Sequence, residues 1–267
     1  MVQVAIAQFA PTEDKPANLA VITELAATAA GRGAQVLVLP EYAMFTVPTM
    51  DHRFADSAED LDGPFVTTLR ELAKEHELAV VAGMSEALPG TGRISNTLVA
   101  IGPDGTIAAR YRKIHLYDAF GFRESDVVQP GEITPPETFV ADGLVFGLQT
   151  CYDLRFPETT RRLADAGADV VLLPAEWVPG PLKEYHWSTL VKARAIENTL
   201  YVAAADQAAP TGSGASLVVD PMGVVVASLG EQTGVAVAEV NAERIAEVRA
   251  KNPALALRRF TVVPRTE

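Results

Sequence analysis

Residues 147–158 read GLQTCYDLRFPE and decide how this part of the chain folds. Residues 144–150 predict a buried strand, the chain then turns at Cys151, and helix-forming sequence resumes after Pro157. A strand, a sharp turn and a helix in this order are typical of α/β proteins, in which functional side chains lie where strands leave the sheet. The single cysteine of the chain therefore stands where such a fold places reactive groups.

Two charged side chains follow predicted strands in the same way. Residues 36–40 form an apolar run that ends at Glu41, and residues 106–112 form the second strand of a hairpin that ends at Lys113. The next segment, residues 115–131, has few periodic apolar positions and is predicted to be a surface loop of the length usually kept for binding or catalysis. A carboxylate, an ammonium and a thiol thus follow three separate strands.

The rest of the chain mixes strands, helices and hairpins. Patterns of apolar residues predict further strands at 2–9, 78–84, 95–101, 138–140, 169–174 and 200–205, helices near 14–30, 65–72, 158–166, 188–198 and 242–250, and a hairpin that turns at 221–223. Strand–helix–strand blocks mixed with hairpins indicate two mixed sheets covered by helices. No stretch resembles a linker, so residues 1–267 are expected to form one domain, with an unpaired apolar arm at 255–263.

Composition and charge exclude several classes of protein. Of the 267 residues, 48% are apolar and 21% are charged, which is typical of a globular chain. The net charge of −12 argues against nucleic acid as a partner. The opening run MVQVAIAQFAP is too short to span a membrane and lacks the features of a signal peptide, so a cytoplasmic protein without a membrane partner is predicted.

No metal or cofactor is predicted either. The four histidines are scattered singly, without the spacing of a zinc site, and a lone cysteine excludes a CxxC pair and an intrachain disulfide. Walker, GxGxxG and GxSxG motifs are also absent from the sequence. Whatever Cys151 does, it does as a single thiol.

Amide hydrolysis through a thiol needs groups that Glu41 and Lys113 can supply. A base must take the thiol proton, an acid must protonate the leaving nitrogen, and donors must stabilise the oxyanion. Each residue alone also has an ordinary interpretation, as an inert buried cysteine, a solvated glutamate or a surface lysine. Their shared position at strand ends favours a joint catalytic role.

Three motifs, LPE at 39–41, YRKIHL at 111–116 and CYDLRFPE at 151–158, resemble those of the nitrilase superfamily of carbon–nitrogen hydrolases. The resemblance extends from VAIAQ at 4–8 to RAIENTLYV at 194–202 and is strongest to the amidase and omega-amidase-like branch. It implies an α/β fold, a four-layer αββα sandwich of two mixed sheets. It also implies a homodimer or higher homo-oligomer, in which a C-terminal arm at about 252–267 crosses to the partner.

The resemblance also assigns roles to single residues. It makes Glu41 the general base, Lys113 the oxyanion stabiliser and Cys151 the nucleophile, with the backbone N–H of Tyr152 as a second oxyanion donor. Glu124 matches a further glutamate that fixes the lysine and helps to place the hydrolytic water.

Other residues are predicted from position. Glu132 is the fallback for Glu124. An ion pair between Arg155 and Glu158 is favoured over substrate contact by Arg155. Four residues are predicted to line the substrate pocket: Tyr42, His115, Glu176 and Trp177.

The predicted function is hydrolysis of a small aliphatic amide or omega-amide to the carboxylic acid and ammonia through a thioester on Cys151. Deaminated-glutathione amidase, N-carbamoyl amino acid hydrolase and nitrilase activities share the same triad and stay open. Two further alternatives are a papain-like thiol hydrolase that uses His186 and a pseudoenzyme that only binds.

Overall fold

The computed structural model describes residues 1–265, and in that range it contains twelve strands and six α-helices. The strands are β1 (Val2–Gln8), β2 (Val36–Val38), β3 (Ala79–Ala87), β4 (Ile94–Ile101), β5 (Ile107–Arg112), β6 (Thr138–Ala141), β7 (Leu144–Leu148), β8 (Val170–Ala175), β9 (Tyr201–Asp206), β10 (Leu217–Val219), β11 (Val225–Ser228) and β12 (Gly234–Val240). The helices are α1 (Lys15–Gly31), α2 (His52–Ser57), α3 (Pro64–His76), α4 (Pro157–Asp165), α5 (Lys183–Asn198) and α6 (Ala242–Lys251).

The strands form two six-stranded mixed sheets. The first has the order β12-β1-β2-β3-β4-β5 and the second has the order β11-β10-β9-β8-β7-β6. In each sheet the central strands are parallel, β1-β2-β3 in one and β7-β8-β9 in the other, and the outer strands are antiparallel. Parallel central strands bring their carboxyl ends to one edge, which is where the loops with Glu41 and Cys151 begin.

Side chains alternate between the two faces of each strand, and this alternation packs the sheets and helices into four layers. In β1, Val2, Val4 and Ile6 belong to the core between the two sheets, while Ala5 and Ala7 face the helices. This is the two-residue period of a strand that is buried on both faces. The order helix, sheet, sheet, helix confirms the predicted αββα sandwich.

Helices cover the outer face of each sheet. On the first sheet, α1 contributes Ile22 and Leu25 and α3 contributes Leu69 to one apolar cluster. On the second, α4 and α5 pack Leu163 and Trp187 against the sheet. The predicted cap of α1 is also present, because the Asp14 side chain accepts a hydrogen bond from the backbone N–H of Ala17 at 3.0 Å.

Two elements differ from the sequence-based expectation. The short helix α2 and the strand β12 were not predicted, and β12 pairs antiparallel with β1 along its full length. The predicted C-terminal arm is described over 252–265, where it forms no helix or strand, and its residues 266–267 lie outside the described range. Over residues 1–265, no helix combines the length and apolarity that a membrane span requires.

Candidate active site

Three loops at strand ends bring the predicted reactive residues together. Glu41 follows β2, Lys113 follows β5 directly, and Cys151 follows β7. The three residues are 1%, 2% and 6% exposed, respectively. The solvated glutamate and surface lysine considered as alternatives are therefore both wrong.

Lys113 lies between two buried carboxylates. Its Nζ is 2.9 Å from Oε1 of Glu41 and 2.9 Å from Oε2 of Glu124. Burial alone would lower the pKa of Lys113, but the charges of Glu124 and Glu41 outweigh it and raise this pKa well above its ordinary value. The lysine is therefore a permanently charged ammonium at neutral pH.

The two carboxylates differ in how completely they are hydrogen bonded. Glu124 accepts from four donors, which are the Tyr42 hydroxyl, the Asn96 amide, Lys113 and the backbone N–H of Tyr117. These four bonds fill the acceptor sites of a carboxylate. Burial would raise the pKa of Glu124, but Lys113 and these donors lower it.

Glu41 accepts from only three donors. Its Oε1 takes hydrogen bonds from Asn96 at 2.6 Å and Lys113 at 2.9 Å, and its Oε2 takes one from the backbone N–H of Glu176 at 2.7 Å. One acceptor site of Oε2 is left for a further proton donor. Glu41 is thus able to accept a proton, whereas the acceptor sites of Glu124 are all occupied by hydrogen bonds to its neighbours.

Sequence reasoning missed Asn96, which donates to both carboxylates from β4. The residue is 1% exposed and lies in the polar stretch Ser95–Thr97 of the buried strand ISNTLVAI at 94–101. A buried amide needs partners. An asparagine within an apolar strand was the signal that pointed to this polar site.

Backbone packing also fixes Glu41. A Cβ atom on Gly83 would lie 2.6 Å from Cα of Glu41 and 2.6 Å from the backbone nitrogen of Tyr42. Tyr42 itself has a positive φ of 50°. The turn that presents Glu41 therefore requires a glycine on the neighbouring strand β3.

Cys151 occupies a strained turn. Its φ is 41°, in the left-handed region that non-glycine residues rarely adopt, and it opens a short 3-10 helix over Cys151–Arg155. Its Sγ donates to the backbone carbonyl of Glu176 at 3.5 Å. Burial, and then the charge of Glu41, raise the pKa of the Cys151 thiol well above its ordinary value, so the resting group is a neutral thiol.

The turn at Cys151 is braced from behind by Asp153. This fully buried carboxylate accepts from the Tyr111 hydroxyl at 2.6 Å, from the backbone N–H of Thr150 at 3.0 Å and from His115 Nδ1 at 2.7 Å. The His115 ring stacks on Phe156, with 3.8 Å between ring centroids. The structure thus places His115 behind the turn and does not bring it into the cleft.

A small cleft opens over the thiol. It is lined by Glu41, Tyr42, Val47, Pro48, Met50, Phe54, Lys113, Tyr117, Phe122, Glu124, Cys151, Glu176 and Val178. Polar groups therefore meet at one end of a mostly apolar pocket, which is the usual form of a small-molecule site.

Among the predicted pocket residues, Tyr42 and Glu176 line this cleft, and Trp177 lines a smaller cavity on the other side of Cys151. Burial, followed by the charge of Glu41, raises the pKa of Glu176 well above its ordinary value. Glu176 therefore adds to the cleft a carboxyl group that holds its proton more tightly than a solvated glutamate does.

The structure shows where the two glutamates considered beside Lys113, and the side chain of Arg155, lie. Glu124 contacts Lys113, whereas the fallback Glu132 lines other cavities. Arg155 forms no ion pair with Glu158 or with any other carboxylate among residues 1–265. The predicted brace between Arg155 and Glu158 is wrong because Glu158 is exposed at the start of α4, whereas Arg155 turns toward aromatic rings.

The alternative thiol chemistry finds no support in the geometry. His186 lies on α5 and lines neither of the two cavities beside Cys151. Within residues 1–265, no three His, Cys, Asp or Glu side chains are grouped to hold a metal ion. The carboxyl groups of Glu41, Glu124 and Glu176 and three cations, Lys113, Arg155 and Lys183, line these two cavities.

The family model described as carbon-nitrogen hydrolase matches residues 3–250. This chain belongs to the carbon–nitrogen hydrolase family, and it is an enzyme of that class.

Individual relatives narrow the similarity to amidases. The chain is 42% identical over 263 residues to deaminated glutathione amidase of Escherichia coli O157:H7, covering 96% of this chain and 97% of the relative. It is 33% identical over 269 residues to omega-amidase NIT2 of Mus musculus, with 96% and 95% covered. The solved structure of Nit3 from Saccharomyces cerevisiae, a member of branch 10 of the nitrilase superfamily, superposes with a TM-score of 0.87 at 30% identity and 97% coverage of both chains. These findings confirm the predicted membership of the nitrilase superfamily, its amidase-like branch and its fold.

Proposed function

We propose that this enzyme hydrolyses a small linear amide to the carboxylic acid and ammonia through a thioester on Cys151. The observation that carries the proposal is the buried Lys113 ammonium, held 2.9 Å from both Glu41 and Glu124 beside a strained cysteine. Amidase relatives that match nearly the whole chain give it further support.

In the first half of the reaction, Glu41 takes the thiol proton as Cys151 attacks the amide carbonyl. The raised pKa of the thiol makes this base necessary, because little thiolate exists at neutral pH. The oxygen that becomes negative is stabilised by the Lys113 ammonium and by the backbone N–H of Tyr152, in the opening turn of the 3-10 helix. The carbon–nitrogen bond then breaks as Glu41 protonates the leaving ammonia.

In the second half, water replaces the ammonia and Glu41 removes its proton. Attack on the thioester forms a second oxyanion, which collapses to the carboxylic acid as the carbon–sulfur bond breaks and Glu41 returns its proton to the Cys151 sulfur. Glu124 acts as a positioning residue, since its four hydrogen bonds hold Lys113, Asn96 and the loop at Tyr117. Tyr42 and Glu176 line the space for the acyl chain.

Release of ammonia from a substrate panel tests this function. The panel is propionamide, a 2-oxo acid omega-amide, an N-carbamoyl amino acid and a nitrile. We expect turnover of at least one amide and a loss of at least about 10³-fold in kcat for Cys151→Ala. Activity on the nitrile or the carbamoyl compound alone, or full activity of the variant, would overturn the proposal.

We also infer that residues 1–267 act as one domain and that the enzyme is a cytoplasmic homodimer. A catalytic lone thiol suits a reducing compartment. Exposed apolar residues on the arm, Leu257, Phe260 and Val263, support contact with a second copy, because large apolar side chains seldom face water in a group.

A further inference from the structure

The peptide group between Glu176 and Trp177, here the Glu176–Trp177 peptide group, lies beside the nucleophile. Its carbonyl oxygen accepts a hydrogen bond from Sγ of Cys151 at 3.5 Å. The backbone N–H of Glu176, which belongs to the preceding peptide group, donates to Oε2 of Glu41 at 2.7 Å. The backbone at Glu176 therefore contacts both the thiol that attacks the substrate and the base that takes the thiol proton.

Asp206, the last residue of β9, holds the other end of this peptide group. Its Oδ1 accepts a hydrogen bond from the backbone N–H of Trp177 at 2.7 Å, and its Oδ2 accepts one from the backbone N–H of Ser213 at 3.1 Å. In a trans peptide group the N–H and the C=O point in opposite directions, so a carboxyl group fixed on the N–H determines where the Glu176 carbonyl points. A hydrogen bond to the N–H also polarises the C=O, which makes it a better acceptor for the Cys151 thiol.

Asp206 is buried without a counter-ion. It is 0% exposed and lines neither of the two cavities beside Cys151, and within residues 1–265 no lysine, arginine or histidine pairs with it. Burial raises the pKa of Asp206 well above its ordinary value, although the backbone N–H groups of Trp177 and Gln207 oppose this rise. Aspartates are seldom fully buried unless they are paired, and a carboxyl group kept at such a cost is typical of a functional site.

The base is held separately, by the residue that follows Asp206. The side chain of Gln207 is 0% exposed, and its Nε2 donates to the backbone carbonyl of Glu41 and to Oγ1 of Thr46, both at 2.9 Å. The backbone of Glu41 therefore keeps its anchor when Asp206 is removed. Loss of Asp206 is expected to release the Glu176–Trp177 peptide group and to leave the base in place.

We propose that Asp206 is a positioning residue for amide hydrolysis, which fixes the Glu176–Trp177 peptide group so that the Cys151 thiol is held next to the Glu41 carboxylate. Asp206 contacts neither the reacting atoms nor the substrate space, and it acts only through this peptide group. The inference rests on the proposed amidase function and adds a residue that orients the nucleophile of that site.

Steady-state kinetics with an amide that the wild type hydrolyses test this role. Asp206→Ala should lower kcat by about 100-fold and change KM by less than about threefold, because the thiol is misplaced while the cleft that binds substrate is kept. The matched control is Asp220, which is 5% exposed, follows β10 in the same sheet and lines neither cavity. Asp220 accepts from the backbone N–H groups of Met222 and Val224 at 2.8 and 2.9 Å and also pairs with Arg244. Asp220→Ala should keep kcat within about threefold of the wild type.

The infrared spectrum of the thiol adds a reading that a general loss of stability would not change. The chain has one cysteine, so the S–H stretching band belongs to Cys151 alone and should be absent in Cys151→Ser. A hydrogen bond from the S–H to the Glu176 carbonyl lowers the wavenumber of this band. Asp206→Ala should therefore move the band to higher wavenumber, and Asp220→Ala should leave it where the wild type has it.

Thermal unfolding shows which variants are folded at the assay temperature. If Asp206→Ala is not folded, Asp206→Asn replaces it, because asparagine has the same size but can accept from only one of the two N–H groups; kcat and the S–H band should change in the same directions. An unchanged kcat or an unmoved band in a folded Asp206 variant, or an equal loss of kcat in Asp220→Ala, would overturn the positioning role.

Failure of this role and failure of the amidase function give different results. If the wild type hydrolyses amides and a folded Asp206→Ala does so equally well, the amidase stands and the role of Asp206 is wrong. If the wild type hydrolyses no amide, the proposed function fails, and the S–H band, which needs no substrate, decides alone whether Asp206 orients the thiol.

Discussion

At the scale of single residues, the site depends on one ammonium that neutralises two buried carboxylates. Lys113 is the only cation that contacts Glu41 or Glu124 within the described part of the chain. Removing one partner of a buried charge network leaves the others unpaired, which costs far more than losing a surface ion pair. Lys113 therefore serves the stability of the fold as well as the chemistry.

Lys113→Met should lower the free energy of unfolding by about 3–5 kcal/mol at pH 7.5, measured with urea. The loss should shrink at pH 5. In the wild type the lowered pKa of Glu124 stabilises the fold above the pKa of an unfolded glutamate, and this stabilisation is lost as the pH falls through the lower folded pKa. Without Lys113, burial raises the pKa of Glu124. Lowering the pH therefore reduces the difference in free energy of unfolding between the wild type and Lys113→Met.

The exposed pair Lys251–Glu247 supplies the control for that measurement. Lys251→Met should cost less than about 1 kcal/mol at both pH values. Equal effects of the two substitutions would contradict the role given to Lys113.

Glu41 has opposite effects on the formation of thiolate and on catalysis. Its charge raises the pKa of Cys151, so Glu41→Gln should move the midpoint of iodoacetamide alkylation to lower pH. The same variant should lose amide turnover by about 10²–10⁴-fold, because the proton acceptor is gone. Glu132→Gln, remote from the cleft, is the matched control. A midpoint that moves upward, or turnover that survives, would count against Glu41 as the base.

The reactive residues were predictable because each follows a strand within a local motif. Glu41, Lys113 and Cys151 each follow a predicted strand, and the resemblance of their motifs to those of the nitrilase superfamily assigned their roles. The position of Lys183, whose Nζ donates to the hydroxyl of the cleft residue Tyr117, was not predictable, because it depends on the course of the loop between β8 and α5. Its neighbours in the sequence give it the appearance of a surface lysine at the start of a helix.

At the scale of elements, the turn after β7 needs support because Cys151 has a strained backbone. Asp153 joins that turn to β5 through Tyr111 and to the following loop through His115. Asp153 also accepts a hydrogen bond from the backbone N–H of Thr150, so its carboxylate links the end of the strand to the 3-10 helix. The turn is held by long-range contacts as well as by local geometry.

Asp153→Ala should therefore destabilise the protein by about 3 kcal/mol or more, because it leaves several buried donors without a partner. Tyr111→Phe removes one donor and should cost about 1 kcal/mol. Urea unfolding of both variants measures the difference. If the two substitutions cost the same, Asp153 does not brace the turn as described.

Most elements follow from their periodic patterns, and the exceptions have physical reasons. The strand β12 reads GVAVAEV, and its glycine, alanines and glutamate weaken its β propensity, so its pairing with β1 stabilises it. The helix α2 has only six residues, of which Phe54 is buried. Such a short helix depends on tertiary packing rather than on its own sequence.

At the scale of the whole molecule, the described C-terminal arm exposes apolar side chains to water. Leu257, Phe260 and Val263 are 70%, 89% and 72% exposed. More exposed apolar residues lie on α5, on β11 and in the turn before β11: Ile196, Met222, Val224, Val225 and Val226. Patches of this kind mark protein contacts, and the net charge of −12 keeps the rest of the surface soluble.

We expect the full chain to sediment as a dimer at about 10 µM and a chain that ends at residue 252 to dissociate at the same concentration. The thermal midpoint of the shortened chain reports whether it remains folded. A full chain that is monomeric, or a shortened chain that dimerises equally well, would contradict the role proposed for the arm.

The central claim is that the amide carbon becomes covalently bound to Cys151. Rapid acid quenching of the wild type with an amide that it turns over, followed by intact-mass and peptide mass spectrometry, tests it directly. The account predicts an acyl group on the peptide that contains Cys151, formed with release of ammonia and absent in Cys151→Ala. An acyl group on another residue, or steady turnover by Cys151→Ala, would contradict it.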